Sequence, residues 1–527
     1  MSGKKITDLP ELSTVDDSGY MAIVSAGVTY KISVANLLAG LSSGSGSGSG
    51  SGSSSSTPTL LLDSFSDVAT AFSLRQLRGA FTGSAITVQL ASGSTNGIGF
   101  NSGYTLDTAA LSTFVGSSSA YVKSFHDQMA GSTSQNTGGA YDVSQSTLAN
   151  MPQIASVNGL ETLVFSGSQQ LSGLANPGSP FTVMAVCRIT GNSAGAFVKL
   201  GGNSSGVGVG IGAGNWDGSG SNFIGLNEII SWYNTAIALP VGVPFVVEFN
   251  GTSDNSTHFL LNGLLAATGG SYIEPAGNIY FGSDQTNRQP TFDLYEVITF
   301  NDVISAPTRA AILASMWQAY CEVLLIQCSS INSLTGSVYD ASNQYNNTSI
   351  TNIGSPVLSS TTQLFGGATL YLNGSSAIRV ANAMSWNPLN FVSDFTWELW
   401  IYLTSLSGTR NIFINQSGAS GLSVFSDGSL DFWIDGTAGT IARGGSISLS
   451  TWHFITATRA NGIITLYIDG NSVGSGSASN ALNMNNGCFG AGTYNNNFTG
   501  NISNIRLSNG AARYSANFTS PTASFTA

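Results

Sequence analysis

Three short stretches mix an aromatic ring with amides, a carboxylate or glycines in the manner of a sugar-binding loop. They hold Trp216 and Asp217 in GNWDGSG, Trp232 and Tyr233 in ISWYN, and Tyr494 with Asn495, Asn496 and Asn497 in TYNNNF. An indole or phenol face stacks on the apolar side of a sugar ring, while neighbouring amides hydrogen-bond its hydroxyls. The same composition suits a plain surface loop, since turns select Gly, Asn and Asp. A second constellation is an echo: SFHDQMAGSTSQN and SVYDASNQYNNTS set Asp127 and Asp340 at one equivalent turn. Such an Asp either caps its loop through Asx-type hydrogen bonds or holds Ca2+, which accepts carbonyl and Asn oxygens beside a carboxylate. No other cofactor is expected. His126, His258 and His453 are the only histidines, none in zinc-ligand spacing, and no nucleophile-elbow motif occurs. GVGVGIGAG at 206–214 sits within alternating β sequence, so it reads as a close-packed strand or turn and not as a phosphate loop.

The elements that must position these residues repeat. LVFSGSQQLSG, FTVMAVCRI, PFVVEFNG, HFLLNGLLAA, IYFGSD and DLYEVITFND are followed, about two hundred residues on, by LYLNGSSAIRV, FTWELWIYL, WHFITATRANG, TLYIDGNSVGS, CFGAG and GNISNIRLSNG. Apolar and polar residues alternate within each run, and Asn-Gly or Asp-Gly breaks the runs, as in hairpins with one buried face. The fold expected is all-β: two antiparallel β-sandwiches in tandem with a few short helices. In the second copy Trp397, Leu399 and Ile401 face one way, and Glu398, Trp400 and Tyr402 the other. Ala69, Phe72, Leu74 and Leu77 form a helical stripe. LDTAALSTFVG, capped by Asp107 or Thr108, and SAPTRAAILASMWQAY, capped by Ser305, also read as helices.

Composition narrows the setting. Only 8% of the 527 residues are charged, and the net charge is −11, which repels phosphate and excludes nucleic acid as a partner. Lys4, Lys5, Lys31, Lys123 and Lys199 are the only lysines. No run is long and apolar enough to span a membrane, and MSGKKITDLPEL lacks the apolar stretch of a signal peptide. The four cysteines are too scattered for a disulfide framework, although Cys321 and Cys328 could pair across one turn. An exterior suited to life outside the cell, without an export signal, fits release by lysis.

MAIV and VTYKISV predict two short strands, and Ser33 caps a short helix over VANLLAG; so small a piece needs a partner to complete its core. KITDLPEL, the following DD, VTYKISVANLL and then a spacer resemble the particle-anchoring leader of bacteriophage tail fibres. That resemblance covers residues 1–40 and implies attachment to a virion protein. It also implies a homo-oligomer, a trimer by analogy with phage fibres, located on the virion. Residues 42–57 carry alternating Gly and Ser, a flexible coil of roughly 20 Å root-mean-square span; its regularity is that of an engineered linker, but natural phage appendages carry such tracts too, and a natural spacer is the reading preferred.

Residues 58–326, through AFSLRQLRGAFTGSAITV, SFHDQMAG and YFGSDQTNRQPTFDLYEVITFND, resemble the catalytic domain of arabinofuranosidase B, a concanavalin-like sandwich. Active members of that family cleave with two carboxylates; the resemblance puts Asp284 at the general acid and Glu228 at the nucleophile. A retaining pair would stand about 5–5.5 Å apart. No catalysis is expected, because a fold does not carry its chemistry along. Residues 327–527, through FTWELWIYL, GSLDFWIDG, WHFITATRANGIITLYIDGNSVGS and ARYSANFTSP, resemble the laminin-G-like jelly roll. Together these resemblances imply a virion appendage that adheres to host-surface glycans. The alternatives are a decoration protein that binds no receptor and a glycoside hydrolase.

Overall fold

The computed structural model describes residues 20–25, 28–33, 59–129, 141–157, 160–174, 178, 180–191, 194–201, 208–213, 223–228, 231–239, 241–252, 256–269, 277–283, 289–326, 348–382, 389–391, 394–415, 417–434, 439–484, 486–490 and 497–525. Within 1–57, Tyr20–Ser25 and Val28–Ser33 pair antiparallel with Ser25 opposite Val28, the two strands the sequence predicts. The helix expected over VANLLAG and the Gly/Ser tract lie outside the described residues.

The remainder, Pro58–Ala527, forms a single unit of two sandwiches. One sheet of the first contains β1 (Val68–Ser73), β2 (Leu160–Ser166), β3 (Phe181–Ile189), β4 (Phe245–Gly251), β5 (Thr257–Leu261), β6 (Leu264–Gly269) and β7 (Thr291–Phe300). β7 pairs with β3 along one edge; its other edge carries β2 over Thr291–Leu294 and β1 over Glu296–Phe300. β4, β5 and β6 follow outward from β3. The second sandwich repeats the plan with β8 (Glu322–Ile326), β9 (Gly367–Asn373), β10 (Phe395–Leu403), β11 (Trp452–Ala460), β12 (Ile463–Ile468), β13 (Asn471–Ser477) and β14 (Thr499–Asn509). β14 pairs with β10 on one side and with β9, then β8, on the other, while β11, β12 and β13 follow from β10. The tandem is therefore a repeat of topology, and β8, ahead of the break expected at 326/327, already belongs to the second sheet.

Alternation explains both cores. In β3, Phe181, Val183, Ala185, Cys187 and Ile189 enter the core shared with the facing layer, whose strands include Gly195–Leu200 and Val209–Ala213 and which belongs to the same continuous hydrogen-bonded sheet. The latter strand is the glycine-rich run: a Cβ at Gly212 would come within 2.0 Å of the Gly195 carbonyl oxygen, so glycine there permits close strand packing. In β10, Trp397, Leu399 and Ile401 enter the second core as expected.

The opposite face of the first sheet is covered by α2 (Ala306–Tyr320), whose Ile312, Met316 and Tyr320 pack on Met184, Val186 and Ile298. Ser305 caps it, its hydroxyl accepting the Thr308 N–H at 3.3 Å. α1 (Thr108–Val115) is capped by Asp107, which accepts the Ala110 N–H at 2.9 Å. The helical stripe at 69–77 is not a helix: β1 occupies its start. Phe72 and Leu74 enter the main core, while Val68, Ala71 and Leu77 enter the cluster under α2. A strand buried on both faces loses clean two-residue alternation, and that loss imitated a helical period. Cys321 is a free buried thiol, pushed up to about 12 by burial; Cys328 lies outside the described residues.

Candidate functional site

Asp127 is fully buried, and its Oδ1 accepts the Ala71 N–H at 2.8 Å and the Met129 N–H at 3.0 Å, an Asx-type clasp across the start of the sandwich. Asp340, its echo, lies outside the described residues, as do Trp216, Asp217, Asp284, Tyr494, Asn495 and Asn496. Asn497 is described: its Nδ2 donates to the Gly374 carbonyl at 2.7 Å. Trp232 and Tyr233 belong to strand Ser231–Ala238, opposite Asn227 and Leu226, where a loop was expected; Trp, Tyr, Thr and Ile favour a pleated strand. Glu228 ends the preceding strand, opposite Ser231 and Val209.

Two histidines stand in hydroxyl–imidazole–carboxylate relays that the sequence spacing did not disclose. Ser448 Oγ lies 2.7 Å from His453 Nε2, and His453 Nδ1 lies 2.7 Å from Asp469 Oδ2. Thr87 Oγ1, His126 and Asp142 repeat this at 2.8 and 2.6 Å. Each carboxylate also accepts a backbone N–H, from Phe454 and from Asp127. A nucleophile needs its base free to take the hydroxyl proton inside a water-excluding site. His453 Nε2 also accepts the Ser448 N–H at 3.2 Å, and Ser448 stands exposed. The relay therefore clamps a turn to a strand pair.

Strong charges sit on the outer faces of the sheets, each neutralised. Glu296 takes Arg75 at 2.8 and 2.9 Å and the Tyr320 hydroxyl at 2.9 Å. Glu248 takes Arg309 at 2.8 Å, and Glu398 takes Arg506 at 2.6 Å and the Tyr514 hydroxyl at 2.8 Å. Burial and the adjacent Glu398 push the Tyr514 phenol well above its ordinary value. These are structural pairs that fasten α2 and the C-terminal tail to their sheets.

What remains open for a ligand includes a groove of about 400 Å³ between α1 and the strands Gln153–Val157 and β2. Its floor is Leu111, Val115 and Ile154, packed on the first core. Its rim is polar: Ser112, Ser118, Ser119, Gln153, Ser156 and Glu161. Burial raises the Glu161 carboxyl, opposed by a hydrogen bond from Ser156. An apolar floor beneath hydroxyl and amide donors is the arrangement that grips an uncharged polar ring. The signal for it in the sequence was the serine run at 117–119 directly after a short helix.

Residues 372–513 match the family model described as the concanavalin A-like lectin/glucanases superfamily, Laminin_G_3. The C-terminal sandwich is a jelly roll of that kind. No curated protein matches the chain. Among solved structures, domain 4 of AbnA, a GH43 extracellular arabinanase from Geobacillus stearothermophilus in complex with arabinotriose, is 21% identical, with 36% of this chain and 95% of that one covered and a TM-score of 0.28. An arabinofuranosidase complexed with arabinofuranosyl-alpha-1,2-xylobiose is 12% identical over 84% of this chain and 98% of that one, TM-score 0.41. Domains LG4-5 of the mouse laminin alpha1 chain are 14% identical over 70% and 93%, TM-score 0.22.

Proposed function

We propose that this chain is a glycan-binding virion appendage, with residues 1–40 as its anchor and the two sandwiches as its adhesive part. The observation that carries the reading is the match of residues 372–513 to a lectin and glucanase superfamily, in a chain whose other sandwich has the same strand plan. The low charge of the chain and the hydroxyl-rimmed groove beside α1 support it, since neutral sugars are recognised by hydroxyls, amides and apolar faces. The anchor rests on the resemblance of 1–40 to phage fibre leaders, and with it come a virion partner and a trimeric assembly. One site of this size binds a sugar weakly, so useful adhesion comes from many copies on one particle.

The test is a glycan array probed with the full chain and with Ser119→Tyr, which fills the groove. Retention of neutral oligosaccharides that falls about tenfold in the variant is the expected outcome. No retention of any glycan, with the chain still built into particles seen by immuno-electron microscopy, would mean that it decorates the particle instead.

A further inference from the structure

Alternation along β2 puts one carboxylate where the first sandwich calls for an apolar side chain. Leu163 and Phe165 enter the core, and Glu161, two residues before Leu163, lies on the same face of the strand. Its cross-strand partner is Ser156, as Ile154 is the partner of Leu163. Thr162, on the opposite face, donates to the Leu294 carbonyl. α1 covers this end of the hairpin, with Leu111 and Val115 packed on the core, and leaves open the groove in which Glu161 stands. Glu248, Glu296, Glu398 and Asp293 each meet an arginine. Glu161 meets none: burial and the Ser156 hydroxyl are what act on its carboxyl, and the groove lining holds no Lys, Arg or His. α1 also ends at this groove without a basic residue in its last turn, so no side-chain charge answers the partial negative charge of its C-terminal carbonyls.

We propose that the groove beside α1 takes an amino sugar, with the ammonium on Glu161 and the ring on the apolar floor. The proposal rests on the glycan-binding reading and deepens it by naming the class of sugar. A carboxylate drawn partly out of water is stabilised by a cation that brings its own donors, and an ammonium offers three. Ser112, Ser118, Ser119 and Gln153 stand exposed around the rim and supply donors and acceptors for ring hydroxyls. The floor of Leu111, Val115 and Ile154 calls for a ring and not for a bare amine. A net charge of −11 draws cationic glycans toward the chain as a whole.

The probe is a chitosan oligosaccharide and its fully N-acetylated form, titrated calorimetrically near neutral pH against the full chain and Glu161→Gln. Acetylation removes the charge and keeps the ring. The amino form is expected to bind about tenfold more tightly than the acetylated one, and Glu161→Gln to bring the two within about twofold of each other. Glu161→Leu, which continues the apolar row of β2, serves as a second variant should the first not fold. Equal affinity for the two oligosaccharides, or a preference that survives both variants, would overturn the proposal and leave the glycan reading standing. Ethylamine bound as tightly as the oligosaccharide would overturn the assignment of a sugar. Binding of neither form would remove the glycan reading and this proposal together.

Discussion

Glu398 has no exposed side-chain surface, yet it accepts from Arg506 and from Tyr514, and Tyr514 stacks on Phe518 with ring centroids 3.6 Å apart. One carboxylate thus ties the C-terminal tail to β10 and β14. Glu398→Ala removes the buried carboxylate on which Arg506 and Tyr514 converge, and a loss of about 3–5 kcal/mol in urea unfolding is expected. Tyr514→Phe removes one charge-assisted hydrogen bond and is expected to cost about 1.5–3 kcal/mol. A change below about 0.5 kcal/mol in both would show that the tail does not depend on this anchor. In the same sandwich, Asp469→Ala strips the Phe454 N–H and His453 of their acceptor, at residue Asp469 whose φ is +51°. A loss of about 1–3 kcal/mol, with no change in any sugar affinity, is the expected result for a clamp.

Among the elements, the junction between sandwiches depends on Gly510. Its N–H donates to the Asp394 carbonyl at 2.8 Å, its φ is +85°, and a Cβ there would come within 2.1 Å of the Pro244 carbonyl oxygen of the other sandwich. Gly510→Ala must therefore strain the backbone and push the lobes apart. Calorimetry is expected to split one unfolding transition into two; a single unshifted transition would rule out this coupling. The strands themselves were legible because every second residue enters the core, as Phe181, Val183 and Ala185 do in β3 and Trp397, Leu399 and Ile401 in β10, and because Asn262-Gly263, Asn461-Gly462 and Asp469-Gly470 close hairpins. β1 was not, since its run continues into Leu74 and Leu77 beyond the strand and the combined pattern blurred into a helical one. The pocket between α2 and β14 that Arg309, Arg506 and Arg513 line was illegible for another reason. Arg309, Arg506 and Arg513 come from a helix, a strand and a tail, and no local spacing announces a meeting that only the packing of two lobes creates. Trp232 and Tyr233 were chosen by composition, which does not separate a loop from a strand.

At the scale of the whole molecule, acidity should matter. Burial raises the carboxyls of Asp293, Asp394, Asp431 and Glu161 in the fold, and among the described carboxyls the exposed Asp427 moves down. In the unfolded chain such groups titrate near about 3.9–4.3. Between those values and the raised ones the native state holds more protons, so the stability due to these groups is complete at low pH and is lost as pH rises through their folded values. Acidification also relieves part of the self-repulsion of a net charge of −11. The unfolding temperature is expected to rise as pH falls toward the unfolded-chain values, and Asp394→Asn to flatten that rise; a steady fall on the same descent would contradict it.

The strand order carries a consequence for synthesis. β7 holds both β1 and β2, and the Thr70–Thr299 hydrogen bond closes over 229 residues. A ribosome must therefore release nearly the whole first lobe before its opening strand finds a neighbour, and the second lobe waits in the same way for β14. Until then the nascent chain has bare strand edges, and sparing use of charge leaves them few like-charge barriers against other copies emerging nearby. Yield in a cell-free translation system should thus depend steeply on how densely ribosomes load the message.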